Sequence, residues 1–210
     1  LFLNLADDIM VNSKMFQKEF FKIFKIKIKC ILNPFDKNLI RKKLLKYKKI
    51  KFFEKKTLNL ISVGRLTDQK DQLTLLKSLK YVNSNLKPRL IIIGKGRNLN
   101  ILKEYAARNK LQKIIKFTGY LNNPFPYIKQ SEILILTSKF EGLPNILLEG
   151  QFLKKYIIST NCPTGPKEIL LNGLAGDLIK IGDSKKLGYL INNYYYNKKN
   201  ILKKIKLGSK

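Results

Sequence analysis

The sequence predicts an α/β fold, a parallel sheet covered by helices on both faces. From residue 57 onward short apolar runs alternate with amphipathic stretches of helical period, and the runs end in turns of glycine or small polar residues. Runs such as LIIIG at 90–94 and ILIL at 133–136 are apolar at every position, as strands are when a parallel sheet buries both their faces. Regular alternation with right-handed crossovers gives the layered sheet. Strands are expected in order at 58–63, 89–93, 113–117, 132–136, 155–159 and 177–181, and helices at 70–82, 98–109, 124–129, 144–153 and 166–172. Ligands of such sheets bind beyond the carboxyl ends of the strands, where the turns at Gly64, Gly94, Tyr120, Ser138 and Thr160 fall.

The flanks read differently. Residues 7–24 predict a helix, and KIKIKCIL at 25–32 alternates strictly, as a half-buried strand does. Asn33-Pro34 breaks that pattern, and residues 35–56 form a lysine-rich linker with a helix expected over 37–47. The final stretch, 187–210, reads as one helix carrying a YYY run. The chain therefore divides into 1–32, 33–56, 57–186 and 187–210.

At 210 residues the chain can bury one good core plus a fragment of another. No apolar run is long enough to span a bilayer, and LFLNLADDIM places two aspartates where a signal peptide is apolar, so a cytoplasmic location is expected. Two cysteines far apart and no histidine indicate neither a disulfide framework nor a Cys/His metal site. The net charge of +29 comes almost wholly from lysine; Arg41, Arg65, Arg89, Arg97 and Arg108 are the only arginines. Base-reading and phosphate-forking proteins lean on arginine, so this balance speaks against a nucleic-acid partner. The lysines read in part as compositional bias at solvated positions. Residues 14–56 also mix them with Phe16, Phe20, Phe21 and Phe24, a pattern able to rest on an anionic membrane surface, peripherally on the inner face of the plasma membrane.

The most informative segment is EILILTSKFEGLPNILLEG at 132–150. It places Glu141 in the turn after a buried strand and Glu149 on the helix that follows, with Pro144 suited to the first helical position. Such a helix start binds anions. Glu149 has Asn145, Ile146, Phe152 and Leu153 as its helical neighbours, a mostly apolar face where a carboxylate is costly unless hydrogen-bonded. A vicinal diol such as ribose would serve; leaning out to solvent or pairing with a lysine are the alternatives left open. Gly64 ends the first strand in a turn, and Arg65 and Lys70 flank the next helix start, two cations that suit a diphosphate. Spacing alone leaves Lys70 open to being one more surface lysine. Gly94-Lys95-Gly96 is a weak signal by itself.

Glu141-Gly-Leu-Pro-Asn-Ile-Leu-Leu-Glu149 resembles the paired-glutamate motif of the retaining glycosyltransferases of family 4. VGRLTDQKDQLTLLKSL (63–79), IIIGKGRNL (91–99), IKFTGYL (115–121) and STNCPTGPKEIL (159–170) resemble further motifs of that family, all in its order. The resemblance implies the Rossmann-like C-terminal domain of a GT-B enzyme, spanning about 57–182, preceded by a remnant of the N-terminal acceptor domain that ends near Asn33-Pro34. It implies that Arg65 and Lys70 hold the donor's diphosphate and stabilise charge as the sugar–phosphate bond breaks, with no metal or other cofactor. Glu149 would hold the ribose hydroxyls, and Glu141 with the backbone of Asn145 and Ile146 the transferred sugar. The turn at Gly64 and Gly94 would admit the nucleotide, Phe117 to Tyr120 would lie beside the base, and Thr164 and Gly165, in the stretch to Glu168, would close around the sugar. Asp71 departs from the family, which usually has glycine after this lysine.

The family implies a nucleotide-sugar donor, UDP-linked, and transfer with retention of anomeric configuration. Cys-Pro-Thr-Gly-Pro is most similar to enzymes that build bacterial surface polysaccharides or lipid-linked oligosaccharides, so the acceptor expected is a glycan or polyprenyl-linked one. With most of the acceptor domain absent, this chain alone is expected to transfer no sugar. A phosphorylase-like enzyme would show a pyridoxal-lysine site, and an epimerase-like one would lack the Gly-Arg…Lys turn. The alternative from another class is a non-enzymatic basic module that binds membrane or RNA.

Overall fold

The computed structural model describes residues 6–45, 49–54 and 56–209. Six parallel strands form the main sheet: β3 (Leu58–Val63), β4 (Pro88–Ile93), β5 (Ile115–Gly119), β6 (Ile133–Leu136), β7 (Tyr156–Thr160) and β8 (Asp177–Ile179), in the order β5-β4-β3-β6-β7-β8. The central strands are mostly apolar because alternate residues serve two cores. Leu58, Leu60, Leu90, Ile92, Ile133 and Ile135 pack beneath α3 (Gln72–Ser78), α4 (Leu99–Arg108), α8 (Ser184–Tyr196) and α9 (Lys198–Gly208). Ile61, Ile91, Ile93, Leu134, Leu136 and Ile157 pack on the other face, beneath α5 (Phe125–Gln130), α6 (Asn145–Phe152) and α7 (Pro166–Ile169). The segment expected to be a linker joins this second core: α2 (Lys37–Leu44) buries Ile40 there, and Phe53 follows.

The order reverses between β3 and β6: α3 and α6, the helices that follow these strands, lie on opposite faces of the sheet, and a crevice of this fold opens at the carboxyl ends between them. β3 and β6 share only two residue pairs in register, whereas β3 and β4 share six.

Several boundaries differ from expectation, each for a local reason. The helix expected over 7–24 is only α1 (Lys14–Phe24); Ser13 stops it by accepting from the Phe16 amide, and Met10–Val11 forms β1 instead. Of the strand expected over 25–32 only β2 (Lys29–Cys30) pairs, in parallel with β1, because Lys25 ends α1 in a left-handed conformation and β1 offers just two residues. α2 stops at Leu44, and Tyr47 lies outside the described residues. β5 begins two residues late, since a turn closed by the Ile114 and Ile115 amides on Leu111 occupies 111–114. Pro144 precedes α6 rather than opening it, with extended ψ of 98°. The terminal helix is two, α8 capped by Asp183 and α9 after a non-helical break at Asn197.

Candidate functional site

The loops after β3 and β6 interlock across the crevice. The Lys139 amide donates to the Gln69 carbonyl at 2.7 Å, Gln69 Nε2 to the Phe140 carbonyl at 3.0 Å and Thr137 Oγ1 to the Lys70 carbonyl at 3.1 Å. This brings Lys70 to Glu141, with Nζ 2.5 Å from Oε1; Ser138 Oγ donates to the same oxygen at 2.5 Å. The pair is largely enclosed, its side chains 15% and 7% exposed. The Lys70 stem lies across Gly64, 3.7 Å from where a Cβ would stand.

Asp71 keeps the turn that its departure from glycine put in question. It adopts the left-handed conformation (φ 43°) that glycine favours, and its carboxylate caps α3 by accepting from the Thr74 amide and hydroxyl. α3 therefore starts at Gln72, so Lys70 sits in the loop rather than on the helix expected over 70–82.

Beyond Glu141, Pro144 supplies no capping side chain, and the amides of Asn145 and Ile146 begin α6 without one. The Thr164 hydroxyl donates to the Glu141 carbonyl. Gly165 follows at φ 75°, where a Cβ would stand 2.2 Å from the Gly142 oxygen, so only glycine lets these loops meet. Gly94 is needed for a like reason: its Cβ would stand 1.9 Å from the Gly64 oxygen, and its openness serves loop-to-loop packing.

The other end of the crevice is less filled. Arg65 is exposed, and its guanidinium has no ion pair or hydrogen bond among the described residues. Glu149 is half-buried and its carboxylate accepts no hydrogen bond among them. Burial pushes its carboxyl above the ordinary glutamate range, and the charge of Lys43 pulls it partly back. Lys43 lies 5.7 Å from the centre of the Phe125 ring. Phe117 packs against the core under α4, while Tyr120, 65% exposed, is the aromatic free to meet a ligand.

Residues 6–33 dock onto this site. Asn33 Nδ2 donates to the Leu143 carbonyl at 3.2 Å and to Asn145 Oδ1 at 2.9 Å, and Asn12 Nδ2 donates to Asn33 Oδ1 at 3.1 Å. Glu168 accepts from Ser13 Oγ and the Met15 amide at the start of α1. A cavity of about 620 Å³ remains between Asn12, Phe16, Glu141 and Phe140. Sequence reasoning missed Lys43 and Asn12, marked Asn33-Pro34 only as a boundary, and placed the turn at Ser138 among the ligand-facing turns without its bond to Glu141.

Fold and site together define an α/β domain of doubly wound topology with a cation–carboxylate pair at its switch point. The chain belongs to the group 1 glycosyl transferases, whose family model matches residues 45–206. It is 36% identical over 178 residues to an uncharacterized glycosyltransferase of Methanocaldococcus jannaschii, covering 80% of this chain and 43% of that one. It is 33% identical over 163 residues to the capsular polysaccharide biosynthesis glycosyltransferase CapH of Staphylococcus aureus, covering 69% and 45%. A Campylobacter jejuni 4-alpha-N-acetylgalactosaminyltransferase acting on an undecaprenol-diphosphate-linked sugar is 27% identical over 187 residues, covering 87% and 49%. The chain thus spans less than half the length of these relatives. Among solved structures, Anabaena HepE with UDP and glucose superposes at a TM-score of 0.82 and 20% identity, over 97% of this chain and 57% of that one, a likeness of fold. No helix among the described residues is long and apolar enough to cross a membrane.

Proposed function

We propose that this chain is the donor-binding part of a glycosyltransferase that moves a sugar from a UDP-linked donor to a glycan or polyprenyl-linked acceptor, with retention and without a metal. The observation that carries this reading is the enclosed Lys70–Glu141 pair beside the uncapped start of α6, at the one place where the strand order reverses. Positive charge from Arg65, Lys70 and the α6 amides meets the diphosphate and steadies it as it leaves. Glu149 accepts the ribose hydroxyls, supplying the hydrogen bonds its carboxylate lacks. Glu141, with the amides of Asn145 and Ile146, faces the transferred sugar; Thr164 and Gly165 hold the loop that shuts over it, and Tyr120 meets the base beyond the Gly64 and Gly94 turns. A capsular polysaccharide glycosyltransferase and an enzyme acting on an undecaprenol-linked sugar among the relatives support the acceptor class. Exposed Phe16, Phe21, Ile23 and Phe24 among the lysines of α1 support an anionic membrane surface as a further partner.

Calorimetric titration of the chain with UDP, GDP, uridine and 2′-deoxy-UDP tests this. UDP is expected to bind better than uridine and better than its deoxy analogue, and Glu149→Gln is expected to erase the second preference. Equal binding of all four ligands, or unchanged UDP affinity in Glu149→Gln, would overturn the site assignment.

A further inference from the structure

Gln72 breaks the buried stripe of α3 at its first residue. Positions 72, 75, 76 and 79 recur at helical spacing along α3 and the turn after it, and Leu75, Leu76 and Leu79 are enclosed in the core between the helix and the sheet. The remaining position carries an amide that is only 3% exposed. Its Nε2 donates to the Arg65 carbonyl at 2.9 Å, while its Oε1 is buried and bonds to nothing among the described residues. Leucine or methionine at 72 would continue the stripe without enclosing an unpaired acceptor, so the amide lowers stability except for the one hydrogen bond it makes.

That bond holds the backbone from which Arg65 projects. The Arg65 guanidinium is exposed and has no ion pair or hydrogen bond among the described residues, so its direction is set by the main chain behind it. The backbone on the far side of Arg65 is fastened by other turns: the Leu66 amide donates to the Lys95 carbonyl at 2.9 Å, the Leu66 carbonyl accepts from the Asn98 amide at 3.0 Å, and the Lys70 and Asp71 amides close on the Thr67 carbonyl at 3.0 and 3.2 Å. At the Arg65 carbonyl the Thr67 amide closes only a three-residue turn, at 3.1 Å, and Gln72 ties that turn to the first residue of α3. We propose that Gln72 is a positioning residue, which fixes the Arg65 carbonyl and so aims the Arg65 guanidinium at the diphosphate of the donor. A long side chain held from a fixed backbone loses less freedom when it meets its ligand, and the hydrogen bond from a packed helix supplies that fixity. The inference rests on the reading of Arg65 as a diphosphate ligand.

Calorimetry with UDP and with uridine compares the 210-residue chain with Gln72→Met, Gln72→Leu, Arg65→Ala and the double variant Arg65→Ala with Gln72→Met. Methionine and leucine are both close to the amide in size and fill the space differently, so a packing fault in one does not decide the matter. Each Gln72 variant is expected to weaken UDP by about two- to tenfold, the worth of one hydrogen bond, to leave uridine unchanged, and to melt at the parent's temperature or above it. In the Arg65→Ala background Gln72→Met should cost UDP nothing further, because no guanidinium is left to aim. Unchanged UDP affinity in both Gln72 variants, equal weakening of UDP and uridine, a Gln72 effect that persists without Arg65, or loss of the folded state in both variants would make Gln72 a packing residue and overturn the proposal. UDP affinity indifferent to Arg65→Ala would show instead that the diphosphate reading itself has failed, and the aiming role would fall with it.

Discussion

The two ends of the crevice are built on opposite plans. Around Glu141, Lys70 and Ser138 share one carboxylate oxygen, Thr164 bonds to the backbone carbonyl, and glycine at 165 lets the loops close to contact. Around Glu149 the carboxylate sits half-buried without a hydrogen bond among the described residues, Arg65 has no side-chain partner among them and Tyr120 is exposed. A site satisfied in advance holds its geometry and contributes to stability. A site left wanting costs stability and returns that cost as affinity when the ligand arrives.

The sharpest break of this contrast is Lys70→Met. It leaves Glu141 enclosed and without its cation, which costs about 3–5 kcal/mol of stability in chemical denaturation. Most of that loss should return in the double variant Lys70→Met with Glu141→Leu. A single variant as stable as the parent would mean that the loops around Glu141 are not held by this pair.

Glu149→Gln should do the reverse. Burial raises the Glu149 carboxyl, so the folded chain binds that proton more tightly than the unfolded chain does. The resulting penalty is absent below the ordinary glutamate range, grows as pH rises through it, and is complete above the raised value. Removing the charge is expected to stabilise the chain at neutral pH by about 1–3 kcal/mol, a rise of some degrees in Tm, with no gain in acid. UDP affinity should meanwhile fall by about tenfold or more. Parallel Tm curves for the two proteins across this pH range would refute the account of Glu149.

Arg65→Ala should leave stability within about 0.5 kcal/mol, since the side chain has no partner among the described residues, yet weaken UDP far more than uridine. Equal weakening of both would move Arg65 off the diphosphate. Asp71→Gly is expected to change least, because glycine relieves the left-handed conformation while the lost cap costs only a few tenths of a kcal/mol. A large loss would mean that the carboxylate does more for the Lys70 loop than begin a helix.

Much of this fold was legible because buried parallel strands announce themselves: β4, β6 and β7 fell within one residue of expectation, and β3 on it. The flanks were harder. Alternation over 25–32 is a true strand pattern, but a strand needs a neighbour, and Met10–Val11 offers two residues. For the site, position in strand-turn-helix motifs and the family resemblance marked Glu141, Glu149, Arg65 and Lys70 as chemistry, while spacing could not say that Lys70 and Glu141, 71 residues apart, would touch. Asn12 and Asn33 were invisible for a related reason: an asparagine acquires a direction only from the partners that fix its amide. Lys43 lay in a stretch that reads as linker and folds against Phe125.

The short seam between β3 and β6 carries a consequence for folding. Two register pairs join the β3-β4-β5 half of the sheet to the β6-β7-β8 half, and the crevice straddles that joint. A nucleotide held as proposed, by Arg65 on one side and Glu149 on the other, would act as a clamp across this two-pair seam. Partial opening should begin there, with the halves parting before either melts, and exchange of the Ile61 and Leu134 amides would report it. Saturating donor then slows that exchange in proportion to its occupancy, while amides deep in the β3–β4 ladder keep the rate set by unfolding of their own half.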